Sequence, residues 1–479
     1  MILPHVPLML RVALFYILRR SEQSKYVDLR TELIVAVLRA YMNPSQPQSI
    51  TSIQKMDLFG AAGPPKGRIW VSTYRCPPPP AGDRVLQDAI TKAIDGIWNP
   101  KTPKAAYQLP DPEPIEGEWT GYRPCATSDS PLPELSQREL YTEMMKDVKS
   151  PVTILYFHGG AYCSLDPATH RPTVKKLAKL TGGRVYNVRY RLAPQHPFPA
   201  ALMDALMSYL ALLYPPEGAF HEPVKPEHIV FAGDSAGGNL ALALLQLILH
   251  LSRANHVIPL PDGSHRPIPL PGGVAVNSPW LDVTHSSPSC TANAAFDYLP
   301  TPAQQHEAAL KRPRCAAWPA DPPRKNIYVA DALVSHPLVT LLLAPSWRGA
   351  PPVYLCTGWE LLADEDRHAA RCMWRDGVRV VFEEYEAMPH CFGLALPYLK
   401  ETRRCLDAWA GFIKSVAESG PQGVADEGGS RFVRIRAKTL EEERIEPAEL
   451  CAEDEQAVEE RFLRNMNGGL STDVGIAKL

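Results

Sequence analysis

The sequence predicts an α/β fold with a mostly parallel sheet, helices on both faces and a helical cap. Short apolar runs alternate with helical periodicity over residues 150–415, and this alternation is typical of a parallel sheet covered by crossover helices. The segment 283–350 interrupts the alternation and is rich in Pro and Ala. The first 60 residues have a helical pattern, with apolar spacing through Leu29, Leu33, Val37 and Tyr41.

The individual elements are predicted from local patterns. Apolar or alternating runs predict strands at 67–76, 118–122, 152–157, 183–189, 229–232, 274–277, 353–357 and 378–385. Apolar residues at helical spacing predict helices at 134–147, 172–180, 200–213, 240–251 and 398–416.

The composition limits the classes of function. The chain has 479 residues, of which 45% are hydrophobic and 21% charged, and its formal net charge is −2. These values are typical of a soluble globular protein and do not favour a nucleic-acid partner. The 10 cysteines form no C-x-x-C pair, so we predict neither a metal site nor a redox motif. We also expect no cofactor.

The stretch FAGDSAGGN, residues 231–239, joins the predicted strand 229–232 to the predicted helix 240–251. A G-x-S-x-G turn between a strand and a helix presents a serine as a nucleophile. Gly233 and Gly237 lack side chains that would clash in so sharp a turn, so we predict that Ser235 is the nucleophile. The N–H of Ala236 then points towards the developing oxyanion. The alternative is a glycine-rich turn without chemistry.

A serine hydroxyl needs a base within reach and an acid that orients this base. His390 follows the last predicted strand and completes the chain order serine, acid, histidine, so it is the candidate base. Glu360 lies in the loop directly after the strand 353–357 and is the favoured acid. Asp364 comes one helical turn later and is the alternative acid.

The sequence His158-Gly159-Gly160-Ala161 follows the strand 152–157, as an HGGG-type oxyanion loop does. Glycines let the backbone approach a substrate carbonyl closely. We therefore expect oxyanion donors from Gly159, Gly160 and Ala161, together with Ala236. His158 itself is expected to hold the loop by hydrogen bonds.

Four motifs together carry a resemblance to a known family: HGG at 158–160, YRLAP at 190–194, PFPAA at 197–201 and GDSAGG at 233–238. The chain resembles the hormone-sensitive-lipase branch of the α/β hydrolases, and within it fungal esterase-like members. The resemblance implies the α/β-hydrolase fold, with a cap built from N-terminal helices and an insertion before the acid strand. Glu360 stands where that family usually has an aspartate, and Ala161 replaces the third glycine of the oxyanion motif.

The leading hypothesis is a serine hydrolase that cleaves small-molecule carboxylic esters through a Ser-His-Glu triad and an acyl-enzyme. The resemblance implies short acyl chains such as acetyl. One alternative is an arylformamidase-like amide hydrolase with the same machinery. Another is a membrane-associated lipase or steryl deacetylase. The alternative from a different class is a non-catalytic ligand receptor on a hydrolase scaffold.

We expect three parts along the chain. Residues 1–60 form an N-terminal helical or cap segment, residues 61–417 form the catalytic domain with a cap insertion at about 283–350, and residues 418–479 form a charged tail outside the core.

Residues 2–18 are apolar but interrupted, and they lack a basic n-region and a cleavage site. Two interpretations stay open: a helix packed over the active site, or a peripheral membrane contact. We expect a cytoplasmic protein, associated with a membrane under the second interpretation.

Overall fold

The computed structural model describes residues 5–56, 63–80, 82–259, 264–321, 323–423 and 429–468. Its strands are β1 (Ile69–Cys76), β2 (Ile115–Tyr122), β3 (Thr153–Phe157), β4 (Arg184–Arg189), β5 (Ile229–Asp234), β6 (Ile258–Pro259), β7 (His265–Arg266), β8 (Gly273–Asn277), β9 (Val353–Gly358), β10 (Val380–Tyr385), β11 (Arg431–Ile435) and β12 (Glu442–Arg444). Ten of these described strands form one sheet in the order β1-β2-β4-β3-β5-β8-β9-β10-β11-β12, and β6 pairs with β7 separately.

The sheet is mostly parallel, as predicted. Strands β4, β3, β5, β8, β9, β10 and β11 are parallel to their neighbours in that order. Among the described strands of this sheet, antiparallel pairing occurs only towards the edges, in β1-β2-β4 and in β11-β12. Because the carboxyl ends of parallel strands meet at one edge of the sheet, the loops after β3, β5, β9 and β10 come together there.

The helices are α1 (Val6–Ile17), α2 (Leu29–Met42), α3 (Ile50–Gln54), α4 (Val85–Gly96), α5 (Gln137–Asp147), α6 (Pro167–Thr181), α7 (Ala200–Leu213), α8 (Ala236–Arg253), α9 (Ser289–Ala292), α10 (Pro302–Lys311), α11 (Ala363–Arg375), α12 (Phe392–Ala395), α13 (Lys400–Gly423) and α14 (Glu455–Gly468). Alternate residues of the central strands face two different layers of these helices. Leu155 and Phe231 pack in the cluster that holds α7 and α8. Ile154 and Val230 pack in the cluster that holds α6 and α13. The prediction of helices on both faces is therefore confirmed.

Helix α4 is absent from the predicted helices. Helix α4 buries Leu86, Ile90 and Ile94 among the residues of α7 and α8. The proline-rich connections on either side of it, at 77–80 and 110–114, favoured a prediction of irregular loop there.

The expectation that the charged C-terminal tail lies outside the core was wrong. Residues 431–435 form β11, which extends the sheet in parallel with β10, and Phe432 and Ile435 are buried. Two arginines of β11 pair with buried carboxylates of β10: Arg431 with Glu383 at 2.9 Å, and Arg434 with Glu384 at 2.8 Å.

Helix α2 of the N-terminal segment packs on the insertion, residues 283–350, that precedes β9. Within the described residues of 283–350, the regular elements are α9, α10 and two short 3₁₀ turns, Asp331–Leu333 and Leu341–Leu343. Arg39 of α2 donates to the carbonyls of Ala295 and Asp297 in this insertion. Of the described helices, none is both long enough and apolar enough to cross a membrane.

Candidate active site

The turn between β5 and α8 has the geometry of a nucleophile elbow. Ser235 lies between the two elements with φ 52° and ψ −122°, a backbone conformation that costs on the order of 1–3 kcal/mol in a residue with a side chain. A Cβ on Gly233 would lie 2.5 Å from the carbonyl of Gly237, and a Cβ on Gly237 would collide with the carbonyl oxygen of Phe157. Both positions therefore require glycine.

Two backbone hydrogen bonds hold Ser235 in this turn. Its N–H donates to the carbonyl of Asn277 at 3.0 Å, and its carbonyl accepts the N–H of Trp280 at 3.0 Å. Both partners belong to the end of β8 and the loop that follows. Helix α8 begins at Ala236, so the N–H of Ala236 is one of the first amides of a helix, which have no carbonyl partner within the helix.

Glu360 and His390 are brought together at the carboxyl ends of β9 and β10. Oε2 of Glu360 is hydrogen-bonded to Nδ1 of His390, and both side chains are buried. Oε1 of Glu360 accepts the hydroxyl of Ser278 at 2.5 Å, the hydroxyl of Thr357 at 3.0 Å and the N–H of Gly358 at 3.1 Å. The carboxylate is thus fixed by donors on one oxygen while the other faces the histidine.

Asp364, the alternative acid, is held elsewhere. Its Oδ2 accepts the N–H of Ser289 at 2.8 Å, and its Oδ1 accepts a guanidinium N–H of Arg367 at 2.8 Å. Asp364 thus connects α11 to α9, and of the two candidate acids it is Glu360 that meets His390.

The electrostatics of the Glu360–His390 pair favour its charged form. Burial raises the pKa of Glu360, but His390, together with the hydrogen bonds from Ser278 and Gly358, outweighs burial, so that this pKa lies below its ordinary value. Burial lowers the pKa of His390, but Glu360, together with Asp297 and Asp234, outweighs burial, so the pKa of His390 is raised. With Nδ1–H donated to Glu360, neutral His390 has an unprotonated Nε2 that can accept a proton, and this atom lies 3.4 Å from Sγ of Cys391.

The loop after β3 combines left-handed backbone with close packing. Gly160 has φ 112°, and Ala161 and Tyr162 have φ 52° and 58°. A Cβ on Gly160 would collide with the carbonyl of Ser164. The turn is closed by the N–H groups of Cys163 and Ser164, which both donate to the carbonyl of Gly160 at 3.0 Å.

The expectation for Gly159 requires a correction. Its N–H donates to Oδ1 of Asp234 at 3.2 Å, and a Cβ at this position would collide with the same carboxylate. This amide therefore ties the loop to the nucleophile turn, and the amides of Gly160 and Ala161, with that of Ala236, stay the candidates for the oxyanion.

Comparisons with known proteins agree with this geometry. A family model described as alpha/beta hydrolase fold matches residues 154–394, half of the chain. The protein belongs to the α/β-hydrolase family.

Two relatives of this hydrolase are bacterial. An acetyl-hydrolase of Streptomyces hygroscopicus is 29% identical over 56% of this chain and 77% of its own length. An esterase of Acinetobacter venetianus is 30% identical over 57% of this chain and 78% of its own length.

A solved structure of a hyperthermophilic esterase from the archaeon Pyrobaculum calidifontis superposes with a TM-score of 0.54 at 21% identity, over 82% of this chain and 99% of the other. At this identity the likeness bears on the fold alone, and it confirms the predicted fold class.

Buried side chains that the motifs did not single out support the hydrolase site. Asp234 accepts the hydroxyl of Tyr156 at 2.7 Å and is paired with His170 at 3.2 Å. Burial raises the pKa of Asp234, but His170 and these hydrogen bonds outweigh it, so the pKa of Asp234 is lowered. An ionised carboxylate is thus held next to Ser235. Asp234 stands inside the glycine-rich motif, whereas no local pattern marked Tyr156 or His170.

His158 lies beside this network rather than at the triad. Its ring stacks on Tyr190 with centroids 4.4 Å apart, and its carbonyl accepts the hydroxyl of Tyr190 at 2.6 Å. Burial, with His170 nearby, lowers the pKa of His158 to about 3. His158 is therefore a neutral, packed side chain at the base of the oxyanion loop.

Two further residues of the site were not predicted. Ser278 lies directly after β8 and donates to Glu360, and its place at the carboxyl end of a central strand was the signal that could have found it. Asp297 lies in the insertion and accepts the N–H of His390 at 3.1 Å. The sequence around Asp297 carries no pattern that we could have used.

Proposed function

We propose that this hydrolase cleaves small-molecule esters through Ser235, with His390 as the general base and Glu360 as the acid that orients it. The reaction class is that of its family and its esterase relatives: the protein is a carboxylic ester hydrolase. The observation that carries the assignment of residues is the buried Glu360–His390 pair at the same edge of the sheet as the strained Ser235 turn.

In the proposed mechanism, Nε2 of His390 takes the proton of Ser235 as Oγ attacks the acyl carbon. The charge that develops on the carbonyl oxygen is stabilised by the N–H groups of Gly160, Ala161 and Ala236. Each such donor typically contributes about 3 kcal/mol to the stability of the transition state. His390 then protonates the leaving alcohol, and water, deprotonated by His390, releases the acyl group.

The choice of Glu360 over Asp364 is supported by the two sets of contacts. Glu360 shares a hydrogen bond with His390, whereas Asp364 is used by Ser289 and Arg367. Glutamate can serve as the acid of a hydrolase triad in place of aspartate.

We further propose that the protein belongs to the hormone-sensitive-lipase branch and prefers short acyl groups such as acetyl. The four motifs in residues 158–238 support the branch, and the acetyl-hydrolase relative supports the acyl group. The likeness to fungal esterase-like members stays an expectation from the sequence. So does the division into an N-terminal segment, a catalytic domain with a cap insertion, and a C-terminal segment.

A peripheral membrane contact through the N-terminus is favoured by one observation. Every residue of α1 is at least partly exposed, and Leu10, Leu14 and Ile17 are exposed by 67%, 54% and 70%. Arg11 lies between Leu10 and Leu14, and Arg19 follows Ile17, a combination that suits an anionic membrane surface. Flotation with anionic vesicles should carry the full chain but leave behind a variant with Leu10, Leu14 and Ile17 changed to Ser. Equal flotation of both proteins would contradict this contact.

Hydrolysis of p-nitrophenyl esters of increasing acyl length tests the proposed activity. We expect turnover to be highest with the acetyl or butyryl ester and to be lost in Ser235→Ala. A fluorophosphonate should label Ser235 of the wild type. Wild-type protein that neither hydrolyses these esters nor is labelled would contradict the proposal and favour a ligand receptor. Faster turnover of an N-formyl arylamine would favour the amidase alternative.

A further inference from the structure

Asp297 connects the two loops that carry the base and the acid. It lies between α9 and α10, and its side chain is fully buried. Its Oδ1 accepts the N–H of His390 at 3.1 Å, and its Oδ2 accepts the N–H of Leu361 at 2.8 Å. Leu361 directly follows Glu360, so one carboxylate of the insertion holds the backbone of both loops.

The charge of Asp297 also reaches the imidazole. After the opposing effect of burial and the larger effect of Glu360, Asp297 is the next group that raises the pKa of His390. Burial and then the nearby Glu360 raise the pKa of Asp297, against the opposing effects of His390 and the two amides. The three side chains thus form one electrostatic unit.

The N-terminal segment fixes the backbone on which Asp297 stands. Arg39 of α2 donates to the carbonyl of Asp297 from Nε at 2.8 Å and from Nη2 at 2.6 Å, and to the carbonyl of Ala295 from Nη2 at 2.8 Å. The side-chain amide of Gln23 also donates to the carbonyl of Ala295. Helix α2, which is distant in sequence, is therefore hydrogen-bonded to the insertion loop whose Asp297 accepts the N–H of His390.

We propose that Asp297 is a positioning residue of the triad, and that Arg39 anchors it from the N-terminal segment. The proposal rests on the proposed roles of His390 and Glu360. Its physical basis is that a carboxylate presents two acceptor oxygens, one to each catalytic loop. Loss of either link lets the imidazole and Glu360 move relative to Ser235, and small misplacements of catalytic groups are costly to the rate.

Asp297→Asn is the sharpest variant, because it keeps the shape and turns one oxygen into an NH₂ group. Because Oδ1 also accepts the N–H groups of Tyr298 at 2.7 Å and Leu299 at 3.3 Å, the amide carbonyl keeps that place, and the NH₂ group faces the N–H of Leu361. We expect kcat on a p-nitrophenyl ester to fall about 10- to 100-fold, with KM unchanged. The matched control is Asp331→Asn, an exposed carboxylate of the same insertion that accepts the N–H groups of Lys325 at 2.8 Å and Asn326 at 3.3 Å. It should keep the wild-type kcat.

Arg39→Gln tests the anchor, since a glutamine cannot donate to both carbonyls with the same geometry. We expect kcat to fall about 2- to 10-fold. The matched control is Arg30→Gln on the same helix. Arg30 lies 4.0 Å from the ring centroid of Tyr398, whereas Arg39 donates to the carbonyls of Ala295 and Asp297.

Two readouts separate positioning from loss of folded protein. Titration with a fluorophosphonate counts competent serines, and kcat is expressed per titrated site. Proton NMR of the low-field resonance of the Nδ1–H proton, which His390 donates to Glu360, reports on this hydrogen bond in the absence of any ester. We expect this resonance to shift or broaden in Asp297→Asn and to stay unchanged in Asp331→Asn.

A wild-type kcat per site with an unchanged resonance in Asp297→Asn would overturn the proposal. So would a loss of kcat no larger than in the control. If the wild type hydrolyses no ester but Asp297→Asn still changes the resonance, the positioning role stands and the proposed activity fails.

Discussion

Glu360→Gln tests the proposed triad most directly, because the contacts of Glu360 determine which way the new amide can face. In the wild type, Oε1 accepts the hydroxyls of Ser278 and Thr357 and the N–H of Gly358. The hydroxyls can rotate to act as acceptors, but the N–H of Gly358 cannot. The glutamine carbonyl therefore keeps the place of Oε1, and its NH₂ group faces Nδ1 of His390.

That orientation forces the wrong tautomer on the imidazole. Nδ1 must now accept a hydrogen bond, so the proton of neutral His390 resides on Nε2, which can no longer take the proton of Ser235. The corresponding change of the acid to its amide in a serine hydrolase lowers kcat ~10⁴-fold, or by about 5 kcal/mol of transition-state stabilisation. We expect a loss of this size for Glu360→Gln.

The assay is steady-state hydrolysis of p-nitrophenyl acetate, with the fluorophosphonate titre as the measure of folded sites. Asp364→Asn is the companion variant, because it removes the alternative acid and changes hydrogen bonds to Ser289 and Arg367. If Asp364→Asn removed activity and Glu360→Gln retained it, the assignment of the acid would be wrong.

Three further predictions concern pH, the nucleophile turn and the added strand. His390 must be neutral to act, and its pKa is raised. We therefore expect kcat/KM to fall with decreasing pH through a midpoint above the ordinary pKa of histidine. A midpoint below that pKa would contradict the charged Glu360–His390 pair. Gly237→Ala should abolish labelling by the fluorophosphonate. Its comparison is Gly411→Ala in α13, where an added Cβ meets nothing within 4 Å. This second variant should raise the free energy of unfolding, measured in urea, by about 0.5–1 kcal/mol. Arg434→Gln removes a partner of a buried carboxylate and should lower the free energy of unfolding by about 1–3 kcal/mol. The side chain of Arg444 is 82% exposed, so Arg444→Gln should change this free energy little. Equal effects of the two variants would contradict the structural role of β11.

The sequence predicted the parts of the fold that depend on local pattern. The central strands and their helices are marked by apolar runs and by helical spacing, and the triad loops follow these strands at their carboxyl ends. Strand β11 escaped because its charged residues match partners far away in the chain: Arg434 meets Glu384, and Arg431 meets Glu383. In the sequence, a charged residue that is paired in the folded protein cannot be distinguished from one that is exposed to solvent.

The site shows the same division between reactive and supporting residues. Ser235, His390 and Glu360 could be predicted because chemistry fixes their order and their place after strands. Asp234 and Asp297 are also buried carboxylates, and each accepts a backbone N–H, from Gly159 in one case and from His390 in the other. Any residue can donate a backbone N–H, so such contacts leave no pattern in the partner's side chain.

The residues that support Glu360 explain how a glutamate can stand at the position of the proposed acid. The extra methylene of Glu360 has to be compensated by the surroundings, and Ser278, Thr357 and Gly358 together fix Oε1 so that Oε2 meets His390. A shorter aspartate could not reach the same three donors and the imidazole at once without a shift of the loop. We therefore expect Glu360→Asp to lose kcat despite its intact charge. Full activity in Glu360→Asp would show that these donors do not set the length of the acid.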